Sequence, residues 1–201
     1  MNNYTIKNSP QGTKAWMDDR AGHMTASHAQ AIGNCGKGLN TYIYELMANS
    51  YSSGERDSYT SADMQRGIDL EKQARTMYEL RTGDEVEEVG FVEMDEYVGA
   101  SPDGLIGEHG GIEIKCLNDI NHFKLILKGE KGIESKYLWQ IQMNMLITER
   151  KHWMYVSYNP NYKKSLLIYR IEPDKEKHEK LIEGIEKGKH LIKEICQKYK
   201  K

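Results

Sequence analysis

Cysteine is scarce in this chain, and so are proline and phenylalanine: 3, 4 and 2 residues among 201. Cys35, Cys116 and Cys196 lie far apart, and no CxxC or HxxxH spacing occurs. A zinc site or a disulfide framework is therefore not expected, and three thiolates fall short of the four that an iron–sulfur cluster normally takes in one chain. All three are expected to be reduced thiols. No apolar run approaches the roughly 20 residues that span a bilayer. The amino-terminal MNNYTIKNSP lacks the basic-then-apolar layout of a signal peptide. A soluble cytoplasmic protein with no membrane partner is the expectation.

An excess of one charge is also missing. Lys and Arg number 28 against 30 Asp and Glu, for a net charge of −2 and a pI of about 6.4. Proteins that bind nucleic acid are often basic, so binding here would need a local basic stripe or a channel that focuses the field. Acidic residues gathered at a metal site lower the net charge as well. Internal repeats and low-complexity linkers are absent. What is present, 38% hydrophobic and 29% charged residues, is polar but sufficient for the core of one domain.

Periodicity and punctuation predict the elements. Residues 13–20 read as a helix carrying Trp16, and Thr25 or Ser27 as the cap of a short helix ending near Gly33. Residues 35–40 read as a loop, 40–50 as an apolar helix and 51–60 as a loop. A long helix then starts at Ser61 or Asp63 and ends at Thr82, with Gly83 as its stop. Strands are expected over Val86 to Val92 and Tyr97 to Ala100. Pro102-Asp103-Gly104 is a tight turn or a strand entry, His109-Gly110-Gly111 a turn, and Ile112 to Leu117 a strand. A helix follows Asn118 or Asp119, another spans Ser135 to Thr148, and a hairpin pairs Trp153–Tyr158 with Leu166–Ile171. Pro173-Asp174 opens a last charged helix. The fold class is α/β, a central mixed β-sheet flanked by helices.

The chemistry lies in Ser101-Pro102-Asp103-Gly104 followed by Ile112-Glu113-Ile114-Lys115. Side chains alternate along a strand, so Glu113 and Lys115 share one face while Ile112, Ile114 and Cys116 point to the other. Asp103 stands ten residues before Glu113, across the Gly110-Gly111 turn, so the chain can fold back and bring the two carboxylates together. Two hard oxygen ligands beside an ammonium suit magnesium, which takes oxygen donors and keeps several waters, and such a set serves phosphodiester cleavage. Lys115 could orient the attacking hydroxide and offset negative charge. Manganese suits the same donors as a substitute. Either fragment alone has a plain reading, a common turn or a solvated strand face. The two together, in this order, favour the site.

These residues resemble the PD-(D/E)xK nucleases, and more closely the lambda-exonuclease or YqaJ-type viral recombinases. Further blocks share the resemblance: Trp16-Met17-Asp18-Asp19-Arg20 with Gly22 and Thr25-Ala26-Ser27; Gly67-Ile68-Asp69-Leu70-Glu71 with Ala74-Arg75; Tyr137-Leu138-Trp139-Gln140-Ile141-Gln142; and Tyr158-Asn159-Pro160. They lie in family order from about residue 15 to 160.

The resemblance implies roles residue by residue. Asp103 and Glu113 bind magnesium with the Ile114 backbone carbonyl, Glu71 supports metal binding, and two ions are involved. Lys115 works on the nucleophilic water, and Gln140 is the active-site glutamine. Gln140 and Gln142 are roughly 200° apart on a helix, so both do not face the metals. Arg20 and Ser27 grip the terminal 5′ phosphate, as a planar fork and a hydroxyl can. Plainer readings stand beside these: Arg20 paired with Asp18 or Glu71, Ser27 as a helix cap, and Glu71 in an i,i+4 pair with Arg75.

The implied activity is magnesium-dependent 5′–3′ exonuclease action on linear double-stranded DNA ends, releasing mononucleotides and leaving 3′ single-stranded tails. The implied assembly is a homotrimer ring, the partner a single-strand annealing protein, and the place the host cytoplasm if the chain is viral. The expected layout is one nuclease domain, with a helical part at about 1–83, a catalytic sheet core at about 84–172 and a terminal helix at about 173–201. Alternatives are a structure- or sequence-specific endonuclease of the same fold, and a non-catalytic DNA-binding module.

Overall fold

The computed structural model describes residues 3–52 and 62–200, with residues 62–64 and 68 as backbone only. Most of the loop expected at 51–60, and the helix start at Ser61, lie outside the described residues.

Two sheets form, where the sequence reading expects one. The larger has five strands: Val86–Glu87 (β3), Gly104–Ile106 (β6), Gly110–Lys115 (β7), His152–Tyr158 (β8) and Leu166–Ile171 (β9), in the order β3-β6-β7-β8-β9. Only the β7–β8 pair is parallel, so the sheet is mixed, as expected. The smaller sheet orders Thr5–Lys7 (β1), Phe91–Asp95 (β4), Val98–Ala100 (β5) and Met24–Thr25 (β2) as β1-β4-β5-β2. β1 and β2 carry no strand signal of their own. Three and two residues are too short for a period, and pairing with β4 and β5 makes them strands. The expected strand at 86–92 divides for a similar reason. β3 pairs with β6 and β4 with β1 and β5, and Gly90 between them faces the Lys7 and Ser9 carbonyls so closely that an added Cβ would lie 2.4 and 2.3 Å away.

The helices are Lys14–Arg20 (α1), Ala29–Asn34 (α2), Lys37–Tyr51 (α3), Ala62–Thr82 (α4), Asp119–Lys128 (α5), Ser135–Thr148 (α6) and Lys175–Tyr199 (α7). Side-chain caps set several starts: Thr13 accepts from Trp16 N–H, Asn118 from Asn121 and Asp174 from Lys177. Gly83, at φ 77°, stops α4 in the left-handed conformation. Three expectations shift. α3 takes in most of the loop expected at 35–40. Gly110 and Gly111 open β7 instead of forming the turn. Residues 26–28 are a 3-10 turn that neither Thr25 nor Ser27 caps through its side chain; their hydroxyls lie 3.1 Å apart instead.

α4 covers one face of the larger sheet, packing Ala74 and Tyr78 on Ile112, Ile114 and Val156. α6 packs on the smaller sheet at β4 and β5 and on β8 of the larger one. Its buried Ile141, Met143, Met145 and Ile147 join the main core with Leu105, Trp153 and Tyr155. Among the described residues no helix is long and apolar enough to cross a membrane.

Gly111 lets the site strand lie against its neighbour. A Cβ there would sit 2.2 Å from the ring of Trp153, which is wholly buried on β8. Gly111→Ala is expected to destabilise the fold by about 1–3 kcal/mol through overpacking, read as a lower urea midpoint. An unchanged midpoint would show that the ring has room to move.

Candidate active site

β6 and β7 are antiparallel with Gly104 opposite Ile112. Continuing that register by one residue sets Asp103 opposite Glu113, as the sequence spacing predicts. Asp103 is fixed further, since its Oδ2 accepts a 2.6 Å hydrogen bond from the Ile114 N–H. Pleating places Glu113 and Lys115 on the face away from α4, and their side chains meet, Nζ lying 2.5 Å from Oε1. Glu113 is wholly buried, and its Oε2 accepts from Asn144 Nδ2 on α6 at 3.2 Å.

Glu71 comes from α4. Arg75, one turn on, ties it to the same place: Nη2 lies 2.8 Å from Glu71 Oε1 and 3.1 Å from the Asp103 carbonyl, and Nη1 lies 2.6 Å from Glu88. The i,i+4 pair expected as the plain reading of Glu71 is therefore present, but its arginine also reaches the Asp103 segment. Glu71, Asp103, Glu113 and Lys115 converge.

Electrostatics records the crowding. Burial pushes the Glu113 carboxyl up to about 7; Lys115 pulls it down, while Asp103 and Glu71 push it further up. Glu71 is likewise raised to about 7, first by burial and then by Asp103, against Arg75 and Lys115. Burial works against the Lys115 ammonium, but Glu113 and then Asp103 outweigh it and hold its pKa above the ordinary lysine value. With Glu113 and Asp103 as its neighbours, Lys115 is an ammonium and a hydrogen-bond donor at neutral pH.

The donor set fits a hard divalent cation. Glu113 Oε1 is buried, and its partner among the described residues is the Lys115 ammonium, 2.5 Å away. Carboxylates raised by one another are ones a cation would relieve. Among the described residues no group of three or more His, Cys, Asp or Glu side chains is placed to hold a metal ion, so the fit rests on a pair. That pair is Asp103 and Glu113, with Glu71 near enough to raise the charge cost of both being ionised.

Gln140 and Gln142 separate as the helix geometry requires. Gln142 is buried and structural, donating to the Glu172 carbonyl and accepting from the Asp174 N–H at the start of α7. Gln140 is half-buried, one turn before Asn144 on the side of α6 that meets Glu113, and has no hydrogen-bond partner among the described residues.

Arg20 ends α1, half-buried. It pairs with neither Asp18 nor Glu71. Its guanidinium lies 4.3 Å from the Trp16 ring centroid, and Nη1 donates to Ser101 Oγ at 2.8 Å. Burial lowers its pKa, Tyr42 opposing, yet an arginine stays charged. Among the described residues no carboxylate neutralises it. Arg20 also lines a cavity of about 220 Å³ with Thr25, His28 and Tyr42. Ser27 adjoins that group, its Oγ 3.1 Å from Thr25 Oγ1 and 3.5 Å from His28 Nδ1, but is not part of the wall and makes no bond to Arg20.

Two polar residues in this neighbourhood escape the sequence reading. Ser101 is absorbed there into a turn motif, though its place two residues before Asp103 on an extended segment puts it on the same side. Asn144 has a findable signal: an amide four residues after Gln140, and so on the same face of the helix, between two methionines.

Comparison with known proteins agrees with this architecture. Residues 15–151 match the YqaJ-like viral recombinase domain. An alkaline exonuclease, LHK-Exo, from Laribacter hongkongensis is 31% identical, with 93% of this chain and 98% of that one aligned at a TM-score of 0.80. Its complex with dAMP aligns over 92% and 99% at 0.74, again with 31% identity. A phage-related exonuclease from Haemophilus somnus 129PT shares the fold at 15% identity and a TM-score of 0.69, over 88% and 96% of the two chains. A search of curated proteins finds no match. With the mixed sheet, the carboxylate pair and this match across most of its length, the chain belongs to the family of YqaJ-like viral recombinases.

Proposed function

We propose that the chain hydrolyses one strand of linear duplex DNA from the 5′ end, releasing mononucleotides and leaving a 3′ single-stranded tail. That it is an exonuclease of the lambda-exonuclease and YqaJ type, a metal-dependent deoxyribonuclease, rests on the family and on 31% identity to an alkaline exonuclease over 93% of the chain. The observation that carries the reading of phosphodiester cleavage is the approach of Asp103 and Glu113 with Lys115 alongside. The dAMP complex of the relative supports a mononucleotide product.

In this reading Asp103, Glu113 and the Ile114 carbonyl hold magnesium, with Glu71 supporting them and a second ion nearby; manganese can substitute. Magnesium held there supplies a Lewis acid that offsets charge developing on the phosphate. Lys115, as an ammonium, donates hydrogen bonds to the attacking water and to the phosphoryl oxygens. Gln140, free of structural bonds, faces the substrate. Arg20 takes the terminal 5′ phosphate with hydroxyl help from Ser27 and, on the present geometry, from Ser101. A three-membered ring around DNA and a single-strand annealing partner belong to the same proposal.

Linear duplex DNA labelled at the 5′ or the 3′ end tests it. With magnesium, the 5′ label is expected to leave first, as a mononucleotide, and a closed circular plasmid to stay intact. Earlier loss of the 3′ label overturns the polarity, and a cut plasmid overturns the exonuclease reading in favour of an endonuclease.

A further inference from the structure

Asn144 is wholly buried in the middle of α6, between Met143 and Met145, on a helix whose other core residues are largely apolar. Among the described residues its side chain makes one hydrogen bond, from Nδ2 to Glu113 Oε2 at 3.2 Å, and its buried Oδ1 has no donor. An amide left half unsatisfied is a costly way to fill a core position, and an apolar side chain would carry no such orphan. The helix backbone is separately secured there, because Thr148 Oγ1 donates to the Asn144 carbonyl at 2.7 Å. The amide is therefore not needed to hold α6 together, and what it does is grip one oxygen of one carboxylate.

That grip fixes a direction. A carboxylate free to rotate about its last bond offers its oxygens in any order. With Oε2 held by Asn144, Oε1 is turned to the opposite side, where the Lys115 ammonium stands 2.5 Å away. Glu113 comes from a strand and Asn144 from a helix packed over it, so the orientation is set by two separate elements of the fold. Partners of this kind, which hold a ligand without touching the metal, commonly change metal affinity by about 10–100-fold when removed.

We propose that Asn144 is a positioning residue for the metal site: its amide N–H locks the Glu113 carboxylate so that the second oxygen faces the divalent cation. The proposal rests on the reading of Glu113 as a metal ligand, and the test separates the two.

Binding of Mn²⁺ to DNA-free protein is measured by electron paramagnetic resonance for the native chain, Glu113→Gln, Asn144→Ala and Asn144→Ser. The two Asn144 variants leave gaps of nearly equal size and differ by one hydroxyl donor. Asn144→Ala is expected to weaken Mn²⁺ binding about 10–100-fold, and Asn144→Ser to recover part of the loss. The magnesium concentration giving half-maximal nuclease rate should rise by a similar factor, while the rate at saturating magnesium stays within a few-fold. A merely structural role would not produce that split. Should Asn144→Ala bind Mn²⁺ as the native chain does, or Ala and Ser bind equally weakly, the donor is irrelevant and the proposal fails. In that case loss of binding in Glu113→Gln leaves the metal reading intact. Native-like binding by Glu113→Gln would overturn the metal reading and the Asn144 proposal together. If neither Asn144 variant folds, the amide is a folding element and the proposal is overturned.

Discussion

Asp103→Ala is expected to lower the cleavage rate by about 10³-fold or more, while affinity for linear duplex DNA, measured in EDTA, stays within a few-fold. The carboxylate has two tasks in this structure, and the substitution removes both. One is the proposed metal ligand. The other is the 2.6 Å acceptor for the Ile114 N–H, whose loss strands a donor beside a buried strand and costs about 1–3 kcal/mol of stability. Asp103→Asn separates them. Its amide oxygen still accepts from Ile114, so stability should return toward the native value, while the lost charge keeps the rate low. Lys115→Ala should show the same collapse in rate with binding retained. It has a further consequence: Glu113, wholly buried, loses its counter-ion at 2.5 Å and keeps only the Asn144 N–H. Single-turnover cleavage and fluorescence anisotropy on the same DNA measure the two quantities. Native turnover in either Asp103→Ala or Lys115→Ala sinks the assignment of this site.

The centre of that site was legible because it is nearly all local. Asp103, Glu113 and Lys115 lie within thirteen residues on one hairpin, and strand alternation with a tight connection suffices to bring them together. Helix starts were legible for the same reason, since Thr13, Asn118 and Asp174 each cap a turn only three residues away. What the sequence hid depends on distant partners. β1 is a strand because β4 lies beside it, more than eighty residues on. Gly110 and Gly111 look like a turn in one dimension, but in three they are the small residues that let β7 lie against His152 and Trp153. Asn144 looks like one more polar residue among the methionines of α6 until β7 is placed beneath it. The two glutamines fall between these cases. The helical angle separates Gln140 from Gln142, but only the packed α7 shows what Gln142 does instead.

Arg20→Ala is expected to change selectivity more than turnover. The ratio of initial rates on 5′-phosphorylated and 5′-hydroxyl ends should fall by about 10–100-fold, the worth of one or two charge-assisted hydrogen bonds. The native geometry explains why this side chain should await an anion. Its guanidinium is half-buried against the Trp16 ring, carries a charge that burial disfavours, and has no carboxylate partner among the described residues. A buried cation is stable when an anion meets it, and the terminal phosphate of a DNA strand is such an anion. The 2.8 Å bond to Ser101 ties the fork to the segment that carries Asp103, two residues on. Arg20→Lys keeps the charge but loses the planar fork, and should restore only part of the ratio. Loss of packing against Trp16 would slow both substrates alike and leave the ratio unchanged. An unchanged ratio in Arg20→Ala therefore removes Arg20 from the phosphate pocket, even if the overall rate falls.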